Sequence, residues 1–277
     1  MPEKVLSPRR RAVFLAGWFL LWSVPALAER EVGATLGFDT NVNRAVDGAQ
    51  SDVQLGGYAA FLRTPDGESR YDWAATAMVE GALSLEVTDL SFAALTVEPG
   101  FVFFPRWWLT VAVSPFVQGK AVKDTDQSAV SFGGKIRLRE QVRSNLYLGQ
   151  YYVYTDSRAN EEVYSYTEHA VGIFFGVLWR EGAFTEIGYE FSHGDSFRTV
   201  TTTTPLPPGM GKGPRYSSAF GGEVVRDTVD RHAASVSAGI DWTPSLTVQA
   251  GYTYARNEGD LGPFTSHSGY AGIAYRF

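Results

Sequence analysis

Ala234-Ser-Val-Ser-Ala-Gly-Ile-Asp-Trp-Thr-Pro-Ser-Leu-Thr-Val-Gln-Ala-Gly-Tyr-Thr-Tyr254 reads as two strands folded back on each other. In its first half Ala234, Val236, Ala238, Ile240 and Trp242 alternate with Ser235, Ser237, Gly239 and Asp241. Thr243, Pro244 and Ser245 form a tight polar turn, after which Leu246, Val248, Ala250, Tyr252 and Tyr254 alternate with Thr247, Gln249, Gly251 and Thr253. A period of two belongs to extended chain, because successive side chains point to opposite faces. Residues 130–138 repeat the pattern, with Val130, Phe132, Gly134, Ile136 and Leu138 on one face and Ser131, Gly133, Lys135, Arg137 and Arg139 on the other. Similar segments lie at about 32–43, 53–63, 69–82, 91–103, 107–119, 145–155, 168–179, 184–193 and 267–277, which brings the count to twelve.

The connections alternate in kind. Tight turns fall at 64–68, 105–106, 141–144, 180–182 and 243–245, and longer, mostly acidic connections at about 44–52, 83–90, 120–129, 156–167, 194–231 and 255–266. Strands that are apolar on one face and polar on the other, with short turns at one end and long loops at the other, are the pattern of a transmembrane barrel. In lipid such strands must close on themselves, since an open edge would leave backbone groups without partners. The fold class expected is therefore all-β: a transmembrane antiparallel β-barrel of about twelve strands, with short turns and both termini on the periplasmic side.

The start of the chain supports export. Lys4, Arg9, Arg10 and Arg11 precede the apolar run 12–24, and Ala26-Leu-Ala28 offers small residues for cleavage. The run is shorter than the roughly 20 residues of a spanning helix. The expected organisation is a cleaved signal peptide at 1–28 and a barrel at 29–277, with a long extracellular loop at about 194–231. Export removes four basic residues and one acid, leaving 20 Lys and Arg against 29 Asp and Glu. That balance argues against a nucleic-acid partner, which requires clustered cations. There is no cysteine, so neither a lipid-anchored cysteine nor a disulfide is expected.

Aromatic residues test the barrel independently. Trp107, Trp179, Trp242, Tyr275 and Phe277 stand on apolar faces near a short turn or the chain end, as an inner interfacial girdle requires. Phe38, Tyr154, Tyr189, Phe191, Tyr252 and Tyr254 form a candidate outer girdle toward the long loops. The rival fold, a soluble β-sandwich, would put one of the two faces in the wrong medium.

The final segment, Tyr270-Ala-Gly-Ile-Ala-Tyr-Arg-Phe277, resembles the terminal signal strand of bacterial outer-membrane β-barrel proteins of the porin-like kind: Gly272 precedes alternating hydrophobic positions, and Tyr275 and Phe277 close the chain. The resemblance covers eight residues and implies the barrel-assembly machinery as a partner that reads Gly272, Tyr275 and Phe277. Leu36-Gly-Phe-Asp-Thr-Asn-Val-Asn-Arg44 also resembles first strands of several porin-like families. Outer-membrane lipid and lipopolysaccharide would then surround the barrel.

Parity assigns the lumen. Arg70, Asp72, Glu98, Lys135, Arg137, Arg139, Glu186, Glu190, Asp241 and Arg276 are the candidate pore-lining residues, together with Asp39, Glu80 and Lys120. Lys135, Arg137 and Arg139 form a basic ladder, and Glu186 and Glu190 an acidic pair. Such charges could select solutes through a transverse field, or pair across a confined space and seal it.

The leading expectation is a channel for small hydrophilic solutes, with anions favoured by the ladder. Another is a non-conducting structural barrel anchoring envelope-complex proteins of polysaccharide export or surface motility. A third is an outer-leaflet lipid hydrolase, since His169, His193, His232 and His267 all take outward parity and Ser165 and Ser196 lie near them. Catalysis of that kind needs a nucleophile within hydrogen-bond reach of its base, and His193-Gly-Asp-Ser196 matches no hydrolase pattern. The histidines read equally as interfacial side chains meeting lipopolysaccharide phosphates. No enzyme activity, catalytic residue, metal site or cofactor is therefore expected, because the four histidines lack ligand spacing and acidic loops at 124–126, 161–162 and 258–260 read as solvated.

Overall fold

The computed structural model describes residues 29–65, 69–179, 182–200 and 214–277; the signal peptide expected at 1–28 lies outside them. Thirteen antiparallel strands follow in order: β1 (Glu29–Asp39), β2 (Asp52–Arg63), β3 (Tyr71–Ser84), β4 (Phe92–Arg106), β5 (Leu109–Val122), β6 (Ala129–Arg143), β7 (Leu146–Ala159), β8 (Tyr166–Leu178), β9 (Ala183–Val200), β10 (Arg215–Ser217), β11 (Gly222–Thr243), β12 (Leu246–Gly259) and β13 (Phe264–Arg276). Twelve of them form a closed barrel: each pairs with the next, β9 pairs directly with β11, and β13 returns to β1. β10 is a three-residue strand on the far end of β11. Among the described residues no helix is long and apolar enough to cross a membrane.

The outer surface is apolar over the middle of the strands. Leu36, Leu55, Val79, Val113, Ile136, Ile173, Ile187, Val236 and Ile273 all point outward and are exposed. Toward one rim the outward positions become charged: Asp156 and Arg158 on β7, Asp195 on β9, Asp230 on β11, and Arg256 and Glu258 on β12. Backbone pairing continues through this polar zone. β9 therefore extends to Val200 and β11 starts at Gly222, with Val200 opposite Glu223. The connection expected at 194–231 shrinks to 201–221, and that expected at 255–266 to four residues between Gly259 and Phe264. Two other boundaries move. β1 ends at Asp39 rather than near 43, because Asp39 Oδ1 accepts the Asn41 N–H at 2.8 Å and turns the chain away. Trp107 and Trp108 are themselves the β4–β5 turn, not the start of β5.

The tight turns share the other rim with the strand start at Arg30 and the chain end at Phe277, which exchange backbone hydrogen bonds of 3.3 and 3.0 Å. Bulges near three of these turns, at 103–106, 141–143 and 241–243, re-aim side chains. The Trp242 ring thereby stands exposed.

The charged rim is tied together by a repeated device. Three 3-10 turns, Thr88–Leu90, Thr125–Gln127 and Glu162–Tyr164, recur at intervals of 37 residues. The serine after each, Ser91, Ser128 and Ser165, accepts a backbone N–H from the end of the preceding strand at 3.1, 2.9 and 2.9 Å. Neighbouring turns are also joined, through Asp124 N to Asp89 O at 2.8 Å and Glu161 N to Asp126 O at 3.1 Å.

Within the wall, Gly133 on β6 has no room for a side chain: a Cβ there would lie 1.9 Å from the Tyr154 carbonyl oxygen on β7. Backbone cannot move aside as a side chain can. Gly133→Ala is expected to destabilise the barrel by about 1–3 kcal/mol through overpacking, read as a lower urea midpoint in refolding from detergent.

Candidate functional site: the lumen and its mouth

The inward faces of the strands carry a polar lining whose charges are held by their neighbours. Glu98 on β4 accepts Lys135 Nζ at 2.5 Å and Arg137 Nη2 at 3.2 Å, both from β6. Arg139 lies over the Tyr147 ring, 4.2 Å from its centroid. On β9, Glu186 accepts the Tyr147 hydroxyl at 3.0 Å, and Glu190 accepts the Tyr151 hydroxyl at 2.7 Å and Arg231 Nη1 at 2.6 Å. Arg276 Nε meets Glu31 at 2.8 Å, and Glu31 also accepts the Tyr58 hydroxyl at 2.7 Å. Asp241 accepts the Thr247 hydroxyl at 2.6 Å, and Asp72 pairs with Arg63 at 3.2 Å near the tight-turn rim.

One residue assigned to the lumen by parity lies elsewhere. Arg70 precedes β3, and its guanidinium sits 5.3 Å from the centroid of Phe103. Phe103 stacks on outward Tyr71 at 4.8 Å, so Arg70 joins the outer aromatic surface at the tight-turn rim. Parity ceases to govern a side chain once its residue leaves the strand. Trp107, Trp179, Trp242, Tyr275 and Phe277 stand exposed at that same rim, with Tyr275 stacked on Phe277 at 6.0 Å. Gly272, inside β13, faces Thr35 across the β1 pairing.

These contacts have a direction. Each lumenal pair just named joins staves one or two apart, so the interactions run around the wall instead of across the bore. Rings are also laid flat: a Cβ on Gly172 would lie 2.1 Å from Tyr151 Cζ, and one on Gly176 2.0 Å from Tyr147 Cζ. Glycine opposite an aromatic ring keeps the wall thin.

At the charged rim a segment does cross the bore. After β1, residues 40–51 fold inward, ordered by Asn41 and Asn43: Asn41 accepts Ala45 N–H at 2.9 Å and Asn43 accepts Gln50 N–H at 2.9 Å. The Asn43 carbonyl accepts the Thr199 N–H at 3.1 Å and its hydroxyl at 2.8 Å, and Gln50 Nε2 donates to Phe220 O at 3.0 Å. Thr199 belongs to β9, four staves from β1. The segment carries Arg44, a non-glycine residue with φ of 52°. Its Nη1 donates to Ser196 Oγ at 2.5 Å, and its guanidinium lies 4.8 Å from the Phe197 ring centroid.

Arg44 projects into a cavity of about 460 Å³ bordered also by Lys120, Arg231, Asp39 and Glu168. The side chain is reached by water, with the polar walls of the cavity around it. Desolvation by those walls lowers its pKa from the ordinary value; Tyr166 and Glu168 oppose the shift and Arg231 adds to it. An arginine keeps its charge through such a shift. Arg231 and Glu31 extend the inward parity of their strands beyond the apolar stretch that marks them in sequence, and Glu168 opens the segment 168–179 on its inward face. Arg44 obeys no periodicity, and only its loop's attachment to β9 brings it into the bore.

No family model matches the chain, and no curated protein resembles it in sequence. Its structure is similar to that of an outer-membrane channel from Pseudomonas putida F1, with a TM-score of 0.60 at 10% identity over 92% of this chain and 97% of that one. It is also similar to KdgM porin, with a TM-score of 0.53 at 8% identity over 89% of this chain and 99% of that one. NanC porin aligns with a TM-score of 0.50 at 9% identity, over 89% of this chain and all of that one. This chain has the fold of an outer-membrane β-barrel.

In that barrel the hydrolase constellation does not assemble. His193 faces outward with Nδ1 2.6 Å from Asp230 Oδ1, whereas Ser196, three residues on, faces the bore and accepts Arg44. Ser165 is occupied as a turn cap by the Ala159 N–H. His169, His232 and His267 also point outward, each bonded to a tyrosine hydroxyl. Among the described residues no group of three His, Asp or Glu side chains could hold a metal ion.

Proposed function

We propose that the protein resides in the bacterial outer membrane and conducts small hydrophilic solutes, with a preference for anions. The observation that carries this reading is the direction of the lumenal ion pairs. They run along the wall, which leaves the bore for water and solute, while Arg44, Lys120 and Arg231 converge on the mouth. Charged constrictions of this kind select by field and size. One structural neighbour is described as KdgM porin in complex with disordered oligogalacturonate; at 8% identity the likeness speaks for the fold, and the anion preference rests on this chain's own cations. By the loop asymmetry of such barrels, the proposed orientation turns the tight-turn rim, with Arg30 and Phe277, to the periplasm and the Arg44 loop outward. The end of β13, with Gly272, Tyr275 and Phe277, would be the strand read during assembly.

Reconstitution in planar bilayers tests the reading. Discrete conductance steps with anions more permeant than cations are expected. Changing Lys135, Arg137 and Arg139 together to glutamine should reduce the anion-to-cation permeability ratio about threefold, since Glu98 already offsets part of the ladder. Currents indifferent to that change would remove the ladder from the path. The clasp of residues 40–51 across the mouth favours one other reading, a closed barrel anchoring envelope proteins. A bilayer-silent barrel that co-purifies with periplasmic partners would support it.

A further inference from the structure

The four histidines of the barrel form an outward belt, and three of them repeat one arrangement. His169 on β8 stands directly opposite Tyr154 on β7, with its Nδ1 2.8 Å from the Tyr152 hydroxyl. His232 on β11 stands opposite Phe191 on β9, with Nδ1 2.7 Å from the Tyr189 hydroxyl. His267 on β13 stands opposite Tyr254 on β12, with Nδ1 2.5 Å from the Tyr252 hydroxyl. In each case the facing ring lies 5.0–5.2 Å from the imidazole. The fourth, His193, faces His169 across β8–β9 and is bonded to Asp230.

The belt sits where the outer surface changes character. On one side lie exposed Val171, Ile173, Val236, Val248 and Ile273; on the other lie Asp156, Arg158, Asp230, Arg256 and Glu258. That boundary is the membrane interface at the charged rim. The chemistry of each unit is directional. In the tautomer where the tyrosine hydroxyl donates to Nδ1, the ring proton sits on Nε2 and can serve an outside acceptor. Each unit thus presents an oriented N–H donor at headgroup depth, backed by a flat aromatic surface for acyl chain or sugar. Arg256 stands opposite His232, with His267 one step away on the next strand, and shares its charge with Glu258 at 2.8 Å. Donors beside a cation suit an oxyanion.

We infer that the Tyr–His units at His169, His232 and His267, with Arg256, bind the phosphates of an anionic outer-leaflet glycolipid. The chemistry on the barrel selects a lipid phosphate; the choice of the outer leaflet rests on the orientation given under Proposed function.

The test uses the intact barrel in detergent with bisphosphorylated lipid A as probe and its dephosphorylated form as control, bound lipid being counted by native mass spectrometry. The wild type should bind the bisphosphorylated form about tenfold more tightly. The triple substitution H169F/H232F/H267F, which keeps the aromatic belt, should erase most of that preference. Should this variant fold poorly, Arg256→Gln alone should still weaken binding about threefold. Equal affinity of the wild type for both glycolipids, or a preference untouched by these substitutions, would overturn the inference. A third arm replaces lipid A with phosphatidylglycerol. Histidine-dependent preference for that phospholipid over lipid A would overturn the outer-leaflet source and the barrel's orientation. None of these readouts depends on conduction, so failure of the channel reading remains separate.

Discussion

Asp227→Asn is expected to unfasten the charged rim while leaving the apolar barrel paired. Asp227 Oδ2 lies 2.7 Å from Arg198 Nη1, and the two side chains are 0% and 1% exposed. Asp227 Oδ1 also accepts the Asp260 N–H at 3.2 Å, which ties the β12–β13 connection to β11. Arg198 in turn stacks 4.7 Å from the Phe264 ring centroid at the start of β13. The pair therefore joins β9, β11 and the opening of β13 at a height where no lipid supports them. Removing the carboxylate leaves a buried guanidinium without its counter-charge, at a cost of about 3–5 kcal/mol. Apolar support is thin there, with Tyr164, Phe220 and Val224 as the one buried apolar cluster among the described residues, and the 40–51 loop adds polar ties at Thr199 and Ser196. Hydrogen exchange should accelerate for amides 195–200 and 222–229 and remain slow in the apolar middle of the same strands. The double substitution R198M/D227L should restore much of the protection, since an apolar pair avoids the desolvation penalty. Unchanged exchange in Asp227→Asn would mean that the ion pair does not hold the rim.

Arg44→Glu is expected to reverse the preference of the mouth. The substitution changes the charge in the 460 Å³ cavity by two units, at a point bordered by Glu168 and Asp39. For an ion passing at about 5 Å in a water-like medium, each unit contributes roughly 0.8 kcal/mol. Two units amount to a change on the order of tenfold for either ion and, because anion and cation respond oppositely, on the order of a hundredfold in the anion-to-cation permeability ratio, measured as the reversal potential in a salt gradient. Arg44→Lys should retain most of the anion preference with a higher conductance, because a lysine cannot both reach Ser196 and stack on Phe197 as the guanidinium does. If Arg44→Glu conducts with the wild-type ratio, the mouth cavity is not on the path of the ions.

The chain disclosed much of its architecture residue by residue, but unevenly. Stretches such as 130–138 and 234–254 announce their strands, because one side of each strand meets hydrocarbon and the other meets water. The same strands become unreadable above the hydrocarbon. Between Asp195 and Val200, and again between Gly222 and Asp230, both faces are polar enough to be wet, so alternation vanishes although the backbone ladder goes on. The lumenal residues Lys135, Arg137, Glu186 and Glu190 were accessible to parity alone. Arg231 was hidden by position, lying just outside the apolar stretch, whereas Glu168, at the head of 168–179, already shows inward parity in the sequence. Arg70 misled for the opposite reason, since the strand begins one residue after it.

The amino-acid sequence by itself determined the barrel and its number of staves, because local alternation in a two-phase environment needs no knowledge of distant contacts. Only the tertiary structure decided what the inward groups do to one another. The pairing of Glu98 with two bases, the tyrosines that hold Glu186 and Glu190, and the delivery of Arg44 to β9 all join residues far apart in the chain. Such contacts arise from closure of the cylinder, which no short window of sequence records.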